Sequence, residues 1–359
     1  MKKSLLWAGF ALALAFLILT ITNASWLAPD PKGAPKQIAN GAIGPEFQDI
    51  EYSPVDLPSK CGWTSIYDPT SRHIANTSGS ILRADRMGGW LIEVDAQVSA
   101  DGKAVLFGSP ALDCLTDGTG AVKEKTAEEL AAFDAGYGYA VIEDGKEAFP
   151  YRGQGLTIPT LEDVLRTIPR QARLMVHLQS DDPAIVTAIR QAFTALDRNP
   201  ADTGDGFYGS SKAIVAIRET YPKAWAFTAQ EARQCTADFT ATGWMGFVPE
   251  SCEGGTMLIA LDDQTFLWGW PNRLTSRLEG AGAKIIIEAP GGVDGEPAGI
   301  TLPEQLTQIP STFNGYIWTD DAFATLPALI QRYDNRTQEE IDATQAALER
   351  RRSGASGNQ

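Results

Sequence analysis

Short apolar runs alternate along this chain with longer segments of helical period, and that alternation sets the first expectation of fold. The clearest runs are Trp90–Val94, Leu174–Leu178, Ala224–Phe227, Met257–Leu261, Lys284–Ile287 and Tyr316–Trp318, with weaker ones at Gln37–Ala39 and Gly206–Tyr208. Nearly continuous apolar runs of this length suit strands covered on both faces. Between them, Thr126–Ala135, Thr160–Thr167, Pro183–Leu196, Asn272–Gly280 and Asp320–Tyr333 carry helical patterns. Thr126 precedes Glu129, and Thr160 precedes Asp163, at the spacing of capped helix starts. Eight strand candidates alternating with helices predict an α/β fold, a single (β/α)8 TIM barrel over residues 37–335. The charged stretch 336–359 reads as a helix-like tail whose end, Ser353–Gln359, is expected to be disordered.

The hydrophobic pattern differs at the N-terminus. Lys2 and Lys3 precede an apolar stretch from Leu5 to Ile21, and Thr22-Asn23-Ala24 follows with small residues at peptidase-like positions. Residues 1–25 therefore read as a signal peptide or a membrane anchor, and the residues alone leave both open. Trp7 and Trp26 are 19 residues apart, about 28 Å along a helix, close to a hydrocarbon core about 30 Å thick. The Pro-, Gly- and Ala-rich segment 26–36 reads as a linker. Either way the rest of the chain is expected to be exported. It would lie on the periplasmic side of the inner membrane if anchored, or free in the periplasm after cleavage.

Charge narrows the partners. The 359 residues carry 30 Lys and Arg against 45 Asp and Glu, a formal charge of −15, and this balance disfavours nucleic acid. Four cysteines, Cys61, Cys114, Cys235 and Cys252, lie in the exported part and lack zinc-site spacing. An even count in an oxidising compartment favours disulfides. Of three possible pairings, Cys61–Cys114 and Cys235–Cys252 are expected. The first two flank segments feeding the barrel mouth, and the second two lie 17 residues apart around one connection. Neither a G-x-S-x-G elbow nor a P-loop occurs.

Glu93 and Asp95 stand two apart on a candidate strand, so both carboxylates share a face and could grip a divalent cation. They open an ordered series. It continues through Leu112-Asp113-Cys114-Leu115-Thr116-Asp117-Gly118-Thr119-Gly120, Thr126-Ala127-Glu128-Glu129-Leu130 and Ile158-Pro159-Thr160-Leu161-Glu162-Asp163-Val164-Leu165. This series resembles the glycerophosphodiester phosphodiesterase family, and Leu267–Arg273 and Gly315–Thr319 resemble late barrel segments of a divergent bacterial branch. The resemblance covers roughly residues 37–335. It implies a barrel-top pocket for a glycerophosphodiester or phospholipid head group, and a divalent metal, calcium or magnesium, held by carboxylates. It also implies two histidines acting as general base and acid.

The chain departs from that pattern where the chemistry is concentrated. The family's "AHRG" stretch reads Ile38-Ala39-Asn40-Gly41-Ala42, and its "VFHD" stretch reads Leu106-Phe107-Gly108-Ser109. Asn40 and Gly108 thus stand at the histidine positions. "ENT" survives only as Ala75-Asn76-Thr77, and the strand-three motif reads Val176-His177-Leu178-Gln179. The expected metal group is Glu93, Asp95 and His177, with a plain hydrogen-bonded histidine as the alternative for His177. Asn76, Gln179 and Trp318 are the expected ligand contacts. The chain has two histidines, His73 and His177. By resemblance it is a phosphoric diester hydrolase without its acid–base pair, hence a ligand-binding or accessory protein of the envelope. The rival is an active hydrolase using Glu93, Asp95 and a relocated histidine.

Overall fold

The computed structural model describes residues 2–48, 61, 64–143, 146–291 and 296–356. Eight parallel strands alternate with helices as a nearly closed barrel, the (β/α)8 class expected. They are β1 Lys36–Ala39, β2 Leu91–Val98, β3 Leu174–Leu178, β4 Gly206–Gly209, β5 Trp225–Phe227, β6 Thr256–Ala260, β7 Lys284–Glu288 and β8 Tyr316–Thr319. Each coincides with one of the apolar runs, shifted by a few residues at its ends.

The chain divides into two compact units. One comprises residues 37–228, 299–306 and 319–359. Here β1 to β5 lie in sequence order, with Asp95 opposite His177 and His177 opposite Tyr208 in register. Alternate residues of β2 and β3, Val94, Ala96, Val176 and Leu178, pack on Ile185, Ile189 and Phe193 of helix Ala184–Ala195. The intervening positions, Glu93, Asp95 and His177, consequently point away from the helices, as period-2 geometry requires. A long excursion, made of the β1–β2 connection and the β2–β3 connection together, builds its own small core around Ile66, Val105, Leu130 and Val141. It includes a three-stranded sheet, Ser65–Ile66, Ala140–Glu143 and Lys146–Ala148, that the apolar pattern does not announce. Cys61 and Cys114 are bonded in this unit. Thr126 and Thr160 cap their helices as expected, Thr126 in a reciprocal capping box with Glu129.

Helix Gln338–Ser356 makes up most of the C-terminal tail, and 357–359 lie outside the described residues. Arg83 pairs with Glu340, Arg351 with Asp321 and Arg352 with Glu304, so the tail helix is tied to the unit by its charges.

The second unit comprises residues 1–36, 229–298 and 307–318. β6 and β7 pair over five positions and β7 continues onto β8. Cys235 and Cys252 are bonded here, joining helix Ala229–Thr242 to the loop after it. The N-terminal helix spans Lys2–Asn23. Among the described residues no helix is long and apolar enough to cross a membrane, so the anchor stays an expectation. Segment 26–36 makes hydrogen bonds within this unit. Asn272 donates from its backbone to Ser25 and from its side chain to Asp30, and Asn314 donates to the Lys32 carbonyl.

Candidate active site

Glu93 and Asp95 on β2 and His177 on β3 bring one ligand atom each to within 4.8 Å of the others. The register is responsible: Asp95, His177 and Tyr208 lie side by side on three consecutive strands. His177 Nδ1 sits 2.8 Å from Asp95 Oδ1 and 4.0 Å from Glu93 Oε1. The Tyr208 ring stacks on the His177 imidazole at 4.3 Å, and its hydroxyl donates to Glu93 Oε1 at 2.9 Å. The backbone N–H of Gly41 donates to Glu93 Oε2 at 2.7 Å.

Asp95 has an equally complete set of partners. Gln179 Nε2 donates to Oδ1 at 2.9 Å and also to the Gly108 carbonyl at 3.1 Å. Asn76 Nδ2 donates to Oδ2 at 2.9 Å, while its Oδ1 accepts from the Asp95 backbone N–H at 2.8 Å. Asn76 adopts a left-handed φ of 62°, a conformation asparagine tolerates better than most residues. Glu93 and His177 are almost wholly buried and Asp95 is partly exposed, so the group opens to solvent at Asp95.

The donor set fits a divalent cation. Two carboxylates and an imidazole within mutual reach are oxygen-rich, with a nitrogen that suits several divalent metals. Held there, a cation would polarise an oxygen of a bound oxyanion. This chain's contribution is orientation. Gly41 and Tyr208 hold Glu93, Asn76 and Gln179 hold Asp95, and Asp95 with Tyr208 fixes the imidazole plane, the outer support that metal ligands usually need.

The histidine positions of the motif pattern are also visible. Asn40 follows β1, and its Nδ2 donates to Asp320 Oδ1 at 2.8 Å, so the amide is turned onto a carboxylate. Asp320 also accepts from Gly299 N–H at 3.0 Å, and burial holds its carboxyl above the usual range against the Asn40 hydrogen bond. Gly108 lies against Asp95: a Cβ there would stand 3.0 Å from Asp95 Oδ2 and 3.4 Å from Asn76 Nδ2. His73 is not in the metal group. It packs at the start of helix Ser78–Arg86, where burial, Arg83 and Arg72 lower its pKa.

Of the residues expected to contact ligand, Asn76 and Gln179 do reach the carboxylates. Trp318, the third, is completely buried in β8. Sequence reasoning missed Tyr208 and Asp320. Tyr208 lay in a weak apolar run, and Asp320 read only as the start of a helix.

Next to Asp320, burial and then the Asp321 carboxylate push half-buried Glu46 up to about 8, opposed by the Arg351 guanidinium. The folded chain thus keeps a proton that an unfolded chain, with its carboxyl at about 4.5, has released. This group's stabilisation is complete below pH 4.5 and is lost as pH rises through about 8. Glu46→Gln is expected to flatten the fall in stability over that window. Denaturant melts at its two ends would show this, and an unchanged slope would count against it.

A TIM barrel with a carboxylate–histidine group at the C-terminal ends of its strands defines a class of site suited to metal-assisted chemistry on an oxyanion. Residues 70–239 match the model of the glycerophosphoryl diester phosphodiesterase family. Those matched residues place that part of the chain in the family. It is 37% identical over 127 residues to the uncharacterised protein Rv2277c of Mycobacterium tuberculosis, and 33% identical over 103 residues to a glycerophosphodiester phosphodiesterase of Bacillus subtilis. Those matches cover 35% and 28% of this chain, and only 40% and 33% of the two relatives. In fold, the phosphodiesterase domain of Rv2277c superposes with a TM-score of 0.56 at 20% identity, over 83% of this chain and 99% of that one. An Oleispira antarctica phosphodiesterase in complex with the product sn-glycerol-3-phosphate gives 0.50 at 17% identity, over 84% and 98%.

Proposed function

We propose that this protein is a catalytically impaired member of its family that binds a glycerophosphodiester or phospholipid head group through calcium or magnesium. The observation that carries the reading is the pairing of an assembled metal group with missing proton-transfer groups. Glu93, Asp95 and His177 converge within 4.8 Å, while Asn40 is bound to Asp320 and Gly108 has no side chain. A carboxamide does not ionise near neutral pH and so cannot serve as general acid or base, which leaves Asn40 a positioning role. Gln179 is neutral, so no cation stands at that position to match phosphate charge.

The working compartment in this reading is the periplasmic side of the envelope, with the N-terminal segment as anchor or cleaved signal. What supports an anchor is the exposed apolar surface of helix Lys2–Asn23, including Phe10, Leu12 and Phe16. Trp26 is 76% exposed just beyond it, and Arg277 grips the Thr22 carbonyl and the Asn23 side chain.

The rival reading, an active phosphoric diester hydrolase, would rely on His177, since it already contacts Asp95. Yet a histidine engaged as ligand is not also available as acid and base. Thermal melts separate binding from its absence. At about a hundredfold excess over its dissociation constant, a cation that binds only the folded chain adds about 2.7 kcal/mol. Calcium or magnesium is expected to raise the melting temperature by several degrees, and Glu93→Gln with Asp95→Asn to abolish the rise. No cation-dependent shift in the unmodified protein would sink the binding reading.

A further inference from the structure

We propose that the cavity beside Asp95 is a subsite for an apolar chain, so that the ligand is a phosphodiester carrying an alkyl or acyl tail. This rests on the reading that a phosphodiester is held at Glu93, Asp95 and His177, and it narrows the class of that ligand. The cavity measures about 210 Å³ and begins at Asn76, Asp95 and Gly108. Beyond them its walls are Ile74, Leu106, Phe107, Leu115, Tyr139 and Ile158. Five of these six belong to the small core around Ile66 and Val105, so the cavity is a gap in a hydrophobic cluster that opens beside the carboxylates.

Two polar groups at its rim, Asn76 and Thr77, are already committed. Both ends of the Asn76 amide are bonded to Asp95. The Thr77 hydroxyl donates to the Ile74 carbonyl and accepts from Ser80 N–H at its helix start. A glycerol or other hydroxylated group pushed into this space would surrender water and meet mostly carbon, which costs free energy. An alkyl chain gains about 0.8 kcal/mol per methylene, or about fourfold in affinity. An apolar cavity of roughly 150 Å³ suffices for the six carbons of benzene, so this one has room for about eight carbons on the same scale.

Gly108 keeps the passage open. A Cβ at that position would already crowd Asp95 Oδ2 and the Asn76 amide, and a longer side chain would stand between the carboxylate and the apolar walls. Phe47, 42% exposed and 5.8 Å from the Tyr139 ring, lines the cavity from its more open side. The Cys61–Cys114 bond braces the wall next to Leu115.

Calorimetric titration of the full-length protein with butyl-, hexyl-, octyl- and decylphosphocholine tests this, each below micellisation and with calcium or magnesium present, alongside glycerophosphocholine. Affinity is expected to rise about fourfold per added methylene to about eight carbons and then level off. Ala135→Leu, which fills part of the cavity, is expected to lower hexyl affinity about tenfold and to leave glycerophosphocholine affinity and the cation-induced melting shift unchanged. Equal affinity from butyl to octyl, with glycerophosphocholine bound as well, would overturn the apolar subsite alone. Failure of every phosphodiester to bind would overturn the head-group reading and the subsite together. The chain-length series on the unmodified protein decides the matter even if the variant does not fold.

Discussion

Purified protein supplied with calcium or magnesium is expected to release no measurable glycerol phosphate from glycerophosphocholine, and Gly108→His alone is expected to leave it inactive. General acid and general base assistance are each worth about 10²–10⁴ in rate, and neither position that would carry them holds an imidazole. Restoring one leaves the other deficit in place. The geometry adds a second obstacle at position 108, where a Cβ would stand 3.0 Å from Asp95 Oδ2. Asp95 would have to yield, and it holds His177, Gln179 and Asn76. The single variant should therefore also weaken the cation-induced rise in melting temperature. Asn40→His meets a better environment, since the Asp320 carboxylate that now accepts from the amide could orient an imidazole. Turnover is expected to need both changes. Metal-dependent release of glycerol phosphate by the unmodified protein, abolished by Glu93→Ala, would reject the impaired reading in favour of the active one.

Asp205→Ala is expected to destabilise the fold by about 3–5 kcal/mol, the usual cost of leaving a buried charge without its partner. Asp205 and Arg198 are both almost fully buried, and they meet through two hydrogen bonds, Nη2 to Oδ1 at 2.6 Å and Nε to Oδ2 at 2.8 Å. Asp205 Oδ1 also accepts from Leu174 N–H at the first residue of β3, and Arg198 donates to the carbonyls of Ala172 and Arg170. The pair thus fixes the starts of β3 and β4, the strands that carry His177 and Tyr208. By contrast, losing the exposed Arg166–Glu162 pair should cost less than about 1 kcal/mol. Urea melts of Asp205→Ala and Glu162→Ala would compare the two, and equal small losses would refute the argument.

Local pattern was enough for the strands, for the capped starts at Thr126 and Thr160, and for the shared face of Glu93 and Asp95. Each of these depends on neighbours within a few residues, through burial on both faces, side chain to backbone capping, or period-2 geometry. The motif series extended that reach to Asn76, His177 and Gln179 by position, without saying what they touch. Tertiary structure decided the rest. Strand register, which one strand's pattern cannot specify for another, set Asp95 beside His177 and His177 beside Tyr208. The same long-range pairing turned Asn40 onto Asp320, buried Trp318 completely, and drew the tail helix onto Arg83 and Asp321 through opposite charges distant in the chain. The cavity beside Gly108 likewise exists only because residues from 74 to 158 close around it without filling it. Packing density is a property of that assembled set, and no stretch of the chain carries it alone.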